Sequence, residues 1–134
     1  AGCATGPVFE KTEPIPAGSA QLYLYRAPSP LGALPNQVFI DGAQESISLP
    51  NGAWRRFVLP PGPHTLIVRN IFAMTYCGAS PITLNLAEAQ NTYVRSQMLL
   101  GSMVGAIVTS LKCTMNVQPE ATALPELANL RQAQ

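Results

Sequence analysis

From Ala20 to Arg26 the residues AQLYLYR alternate, with Ala20, Leu22 and Leu24 on one side and Gln21, Tyr23 and Tyr25 on the other. A period of two in a run rich in Leu and Tyr, bounded by Gly18-Ser19 and Pro28, predicts a strand. A loop containing Pro and Gly leads to a second run, Gln37 to Asp41, which stops at Asp41-Gly42, a pair suited to a tight hairpin turn. Ser46 to Leu49 is the return strand. Pro50-Asn51-Gly52 turns the chain into Trp54 to Leu59, and Pro60-Pro61-Gly62 turns it into Pro63 to Asn70. Ile82 to Leu86, Thr92 to Leu100 and Ala106 to Val117 continue the series. Turns recurring at this spacing predict an all-β domain, an immunoglobulin-like or transthyretin-like β-sandwich of about seven to eight strands.

In the last strand Ile107, Thr109, Leu111, Cys113 and Met115 share a face, so Cys113 is expected to point inward. The tail changes period: Leu124, Leu127 and Leu130 recur every three residues, and Pro119 and Pro125 are each suited to a helix start. A short C-terminal helix packed on the domain is expected, with Glu126 near its start and Arg131 near its end suiting the helix dipole. The organisation expected is a tether over residues 1–19, a sandwich over 20–117 and a helical tail over 118–134.

Composition sharpens this picture. Charged residues make up 11% and hydrophobic ones 47%, enough apolar surface to offset chain entropy on folding. The net charge is +1 and the eight basic residues are scattered, so a nucleic-acid partner, which needs several phosphates neutralised along one face, is not expected. The longest apolar run, Met98 to Val108, is broken by Gly101, Ser102 and Gly105 and falls short of the roughly 20 residues that span a bilayer. It reads either as a core hairpin or as a sticky edge used for assembly.

Candidate chemistry is sparse. A hydrolase needs a nucleophile, a base and an orienting group, yet His64 is the only histidine and Asp41 the only aspartate. The six glutamates fall mostly in expected tails and turns, no glycine-rich phosphate loop occurs, and no CxxC spacing exists for zinc. The expectation is a protein that is not an enzyme, with no cofactor and no metal; an enzyme built on His64, Asp41 and a serine is the remote alternative. Trp54-Arg55-Arg56, after the Asn51-Gly52 turn, is the candidate binding surface, because an exposed indole beside guanidinium groups can stack on a sugar or dock a protein or lipid head group. On that basis a module binding cell-wall glycan is a second reading. Strand alternation, however, puts Trp54 and Arg56 on one face and Arg55 on the other, with Trp54 then simply core.

The cysteines add localisation. Ala1-Gly2-Cys3 matches the end of a bacterial lipobox, where small residues precede the cysteine that receives diacylglycerol and further acyl chains such as palmitate once the signal peptide is removed. Cys3 is therefore expected to be lipidated, with the segment up to Ser19 as an extended tether rich in Pro and Gly. Ala4 rather than Asp behind the cysteine favours the outer membrane, on its periplasmic side. Three cysteines is an odd number, and a lipid on Cys3 leaves Cys77 and Cys113 free to form a disulfide in an oxidising compartment. Two buried free thiols are the alternative.

The combination of Gly6-Pro7-Val8-Phe9, Leu22-Tyr23-Leu24-Tyr25-Arg26, Val38-Phe39-Ile40-Asp41-Gly42, Leu59-Pro60-Pro61-Gly62-Pro63-His64-Thr65-Leu66 and Thr92-Tyr93-Val94-Arg95 resembles the bacterial lipoprotein family called domain of unknown function 2846. Its middle portion is also similar to a PEGA-type module, in which a strand, a D-G turn, a strand and an L-P-P-G turn build part of a sandwich. The resemblance implies envelope localisation, a lipid anchor and a β-sandwich, and brings no activity and no ligand. The leading expectation for this chain is a lipid-anchored, non-enzymatic binding or assembly module with a protein partner in the envelope. The chain departs from the family around Cys77 and at Leu100 to Gly105, so the Cys77–Cys113 pairing is read from this chain alone.

Overall fold

The computed structural model describes residues 4–30, 33–71, 74–79 and 81–133. In chain order the elements are β1 (Ala20–Arg26), β2 (Asn36–Ile40), β3 (Ile47–Leu49), β4 (Ala53–Leu59), β5 (Gly62–Asn70), β6 (Thr75–Tyr76), β7 (Ile82–Leu86), β8 (Asn91–Val104), β9 (Ile107–Gln118), α1 (Glu120–Leu127) and β10 (Arg131–Gln132). They form two five-stranded sheets, the first in the order β10-β4-β1-β8-β9, the second β3-β2-β5-β6 with β7 also paired to β5. The chain is thus an all-β sandwich with one short C-terminal helix, and the described residues form ten strands rather than seven or eight. The two added strands, β6 and β10, have two residues each, too short to show a period.

Strand β1 is buried along its whole length, which explains why both of its faces carry large side chains. Ala20, Leu22 and Leu24 enter the core between the sheets, against Val38, Leu66 and Val68 of the second sheet. Gln21, Tyr23 and Tyr25 point to the opposite face, where a second core gathers Phe9, Trp54, Tyr93, Ala123, Leu127 and Leu130. Its aromatic rings meet edge to face, Phe9 on Tyr23 at 5.6 Å and on Trp54 at 5.4 Å, while Tyr23 stacks on Tyr93 at 5.8 Å. Such offset and T-shaped contacts suit the ring quadrupole. The helix and the N-terminal segment form the lid of this second core.

That arrangement changes two expectations. The expected tether is in part a component of the domain: Val8 bridges Arg131, the Gln132 amide donates to the Pro7 carbonyl at 2.8 Å, and Phe9 is buried. The helix begins after Pro119, with Pro125 inside it, so Glu120 occupies the first turn and Glu126 the last; Arg131 lies beyond the helix in β10. Glu126 therefore faces the unfavourable end of the dipole. The sheet supplies the compensation, because Tyr25 Oη donates to Glu126 Oε1 at 2.6 Å and Arg95 Nη1 to Oε2 at 2.7 Å. Tyr93 Oη holds Glu120 in the same way, at 2.7 Å. Burial and these carboxylates raise the Tyr25 and Tyr93 hydroxyls far above the usual tyrosine range.

Cys77 and Cys113 form a disulfide with Cα atoms 4.4 Å apart. It joins the segment after β6, on the second sheet, to β9 on the first, and the Gly78 amide donates to the Cys113 carbonyl at 3.0 Å. Both cysteines are buried, as the alternation of β9 predicts for Cys113.

Candidate functional site

Strands β8 and β9 outrun the sandwich. β8 is paired with β1 only as far as Ser96, opposite Arg26, and then continues to Val104, where it turns through Gly105-Ala106 into β9. Past Met98, the last buried residue of β8, the hairpin runs on to Val104, about 20 Å at roughly 3.3 Å per residue. Its sequence lacks any charge between Arg95 and Lys112. Leu99, Leu100, Met103, Val104, Ile107 and Val108 are all exposed on it, Val104 at 69% and Ile107 at 68%. These side chains belong to neither core. Of the two readings of the Met98 to Val108 run, the exposed edge holds for Leu99 onward, while Met98 is buried.

The root of the hairpin is rigid and its middle is bent. Cys113, Met115 and Met98 sit in the inter-sheet core, and the disulfide ties β9 to the second sheet there. Further out, the pairing skips Gly101 on β8 and Thr109 on β9, two opposed bulges that bend the ribbon and increase its twist. A Cβ at Gly101 would meet Ser110 Oγ, so a larger residue there requires the serine side chain to turn away. Ser102 Oγ lies 2.7 Å from both Thr109 Oγ1 and Ser110 Oγ, closing the ladder across the bulges. A concavity of about 530 Å³ beside the root is lined by Tyr76, Leu111 and Lys112 among others.

Trp54, Arg55 and Arg56 do not share a surface. Trp54 is 7% exposed and packed in the aromatic core, which leaves its faces no room for a sugar ring. Arg56 Nε donates to Gln21 Oε1 at 2.6 Å, and Gln21 in turn donates to Asn91 Oδ1 at 2.9 Å and to the Glu13 carbonyl at 3.0 Å. Arg55 faces the other way, its Nε donating to the Ser48 carbonyl on β3 at 2.6 Å. The alternation of β4 causes this separation. An open groove of about 550 Å³ on the outer face places Arg56 and Lys11 beside Glu10 and Glu13, a surface of mixed charge.

His64 and Asp41 do meet. Asp41, with φ of 54°, and Gly42, with φ of 73°, form the left-handed turn after β2, a conformation that suits Asp and Gly. Asp41 Oδ1 accepts from the Thr65 amide at 2.9 Å, and Oδ2 lies 2.6 Å from His64 Nδ1. His64 Nε2 lies 2.6 Å from the Pro60 carbonyl oxygen. Neither oxygen has a proton to give, so the arrangement is satisfied by the doubly protonated ring, donating from both nitrogens. The Asp41 hydrogen bond is the main cause that raises the histidine above its ordinary value, and the His64 bond lowers the aspartate. A ring held by two acceptors cannot take a proton from a serine, so the geometry is that of a clasp between turns rather than of a base.

Sequence reasoning missed Phe9 and the Glu126–Tyr25–Arg95 link; the only signal for Phe9 was an aromatic residue within a segment rich in proline. Cys3 lies outside the described residues. Among the described residues no group of histidine, cysteine or carboxylate side chains is clustered as metal ligands, and no helix is long and apolar enough to cross a membrane. Compared with known proteins, the chain matches no family model, no curated protein and no solved structure.

Proposed function

We propose that this chain is a non-enzymatic assembly module of the bacterial envelope, anchored through a lipid on Cys3 to the periplasmic side of the outer membrane, and that it presents the β8–β9 hairpin to a protein partner. The observation that carries the reading is the uncharged apolar hairpin standing clear of a sandwich whose two cores are already complete. A hairpin that served only the fold would bury these side chains, since full burial of a Leu, Ile or Val is worth about 1.5–3 kcal/mol and about half of that is forgone here, where they are 42–69% exposed. The resemblance to domain of unknown function 2846 and the Ala1-Gly2-Cys3 motif support the anchor. A disulfide between Cys77 and Cys113 accords with an oxidising compartment.

The strand pairings support a definite orientation. At Arg131 the N-terminal segment runs antiparallel to β10, so from Val8 back to Gly6 the chain travels away from the hairpin. The segment from Val8 back to Gly6 thus leads away from the hairpin tip, which supports a tip that faces away from the anchoring membrane. Mass spectrometry of protein extracted from membranes tests the anchor: a thioether-linked diacylglycerol on Cys3 is expected, and a free thiol there overturns it. Photo-crosslinking from position 104 in intact cells tests the contact site; crosslinks from Val58, exposed on β4 at the far end of the sandwich, at equal yield would overturn the assignment to the hairpin.

A further inference from the structure

The N-terminal segment builds one wall of a groove that the fold itself does not use. Beside β10 the Gly6 amide donates to the Gln132 carbonyl at 3.1 Å, and a Cβ at Gly6 would strike that oxygen, so the two backbones lie as close as they can. The segment then crosses the sheet to β1, where the Glu13 amide donates to Tyr23 Oη at 2.8 Å and the Glu13 carbonyl accepts from Gln21 Nε2 at 3.0 Å. Between segment and sheet lies the open groove of about 550 Å³, lined by Glu10, Lys11 and Glu13 from the one and by Trp54, Arg56 and Gln132 from the other. A volume of this size suits a small ligand. The Trp54 side chain is 7% exposed, and its Nε1, closed to solvent, has no hydrogen-bond partner. A buried donor without an acceptor is rare and costly. The ion pairs among the described residues, His64–Asp41 and Arg95–Glu126, lie elsewhere, so the groove holds charges of both signs that no ion pair neutralises. We propose that this groove binds a short peptide with free termini, its carboxylate on Arg56 and Lys11, its ammonium on Glu10 and Glu13, and one of its carbonyls on the Trp54 indole N–H. This goes beyond the presentation of the hairpin, which involves a different part of the chain.

The chemistry of the lining selects this ligand class over its rivals. A sugar ring needs an aromatic face to lie on, and Trp54 is already packed by Phe9 at 5.4 Å and by Tyr23 at 6.0 Å. A phosphate or another simple anion meets two carboxylates beside the two cations, and a metal cation meets the reverse. An apolar molecule would cover four charges and pair none of them. A peptide with free termini carries both charges at a separation set by its length, and its backbone adds carbonyl acceptors for the indole and partners of both kinds for the Gln132 amide. Arg56 is oriented for this task from behind: its Nε donates to Gln21 Oε1 at 2.6 Å, and Gln21 is itself fixed by Asn91 Oδ1 and the Glu13 carbonyl. Charge-assisted bonds from such a guanidinium to a carboxylate are among the stronger hydrogen bonds.

Trp54 is the only tryptophan, so its indole N–H gives a single NMR cross-peak that reports on the groove. The test titrates the full chain carrying Cys3→Ser with trialanine whose termini are free, and a saturable shift of that peak is expected. Trialanine acetylated at one end and amidated at the other lacks both charges and should bind about tenfold more weakly or worse. Glu10→Gln/Glu13→Gln and Lys11→Gln should each weaken the free peptide by about threefold or more, with unchanged melting temperatures, because all three side chains are exposed. The absence of a saturable shift with the free peptide, a blocked peptide that binds equally well, or charge variants that bind as well as the native chain overturns the proposal. A saturable shift produced instead by a trimer of N-acetylglucosamine, or by inorganic phosphate, also overturns it and assigns the groove to a sugar or to an anion.

Discussion

The His64 ring bridges Asp41, after β2, to the Pro60 carbonyl, between β4 and β5, and so ties turns from both sheets at one pole. Its folded-state value is raised, so its stabilisation is complete below the ordinary histidine value of 6.5 and is lost as pH rises through the raised value. Asp41 is lowered, so its share is complete above 3.8 and is lost as pH falls through the depressed value. Between 3.8 and 6.5 both partners contribute in full. Because His64 is the only histidine, its ring protons report this directly by NMR. The titration midpoint is expected above 6.5 in the native chain and closer to 6.5 in Asp41→Asn. A midpoint unchanged by that substitution would show that the clasp does not form. At the other residue of note, Phe9→Ala should cost about 3–5 kcal/mol, as for other buried aromatics, read as a lowered denaturation midpoint. A residue in a free tether would cost nothing, so this substitution separates tether from core.

At the scale of elements, two attachments decide what the accessory parts do. The disulfide closes a span of 36 positions and should stabilise the fold by about 3–4 kcal/mol on the chain-entropy argument. Cys77→Ala/Cys113→Ala is expected to lose that amount in denaturant titration, with the greatest gain in amide exchange at the hairpin root. The helix is held by Glu126, which accepts from Tyr25 and Arg95 at once. Glu126→Ala leaves the buried Tyr25 hydroxyl without this acceptor and should cost about 1–3 kcal/mol, discounted because the carboxylate itself is partly exposed. The alternation of β1 made both of its faces legible, since Leu22 and Leu24 opposed to Tyr23 and Tyr25 is a two-sided burial pattern. The same logic foretold the inward Cys113. It did not foretell the lid, because a segment rich in proline looks alike whether it swings free or lies on a tyrosine face. Nor could it place the helix boundary, since Pro119 and Pro125 are equally suited to a helix start; the helix begins after Pro119, whose carbonyl accepts from the Thr122 and Ala123 amides, while Tyr93 holds Glu120. Trp54-Arg55-Arg56 stood out as chemistry only in one dimension; the pleat sends its members to different neighbours.

The whole molecule is a lever with two unlike ends. Val8 lies opposite Arg131, which pairs with Ala53 at the end of β4, and Gly6 donates to Gln132 opposite Trp54; these positions are level with Arg26 and Tyr25, and hence with Ser96 and Arg95 of β8. From Arg95 to Val104 the strand covers nine further positions, about 30 Å, and Ala4 lies beyond Gly6 in the opposite direction. On the proposed reading a lipid before Ala4 would draw the domain to the bilayer from the side remote from the hairpin tip, with the tip about 30 Å beyond the level of Gly6. Lipid-borne fluorescence quenchers measure this arrangement. In the lipidated chain, a fluorophore on Glu88→Cys is expected to be strongly quenched and one on Ala106→Cys to be left bright. The reverse order would mean that the hairpin dips into the membrane holding the lipid, and would exclude its presentation to a partner away from that membrane. Equal, weak quenching at both sites would mean that the residues before Gly6 let the domain tumble, so that packing of Phe9 fixes the fold without fixing its attitude to the bilayer.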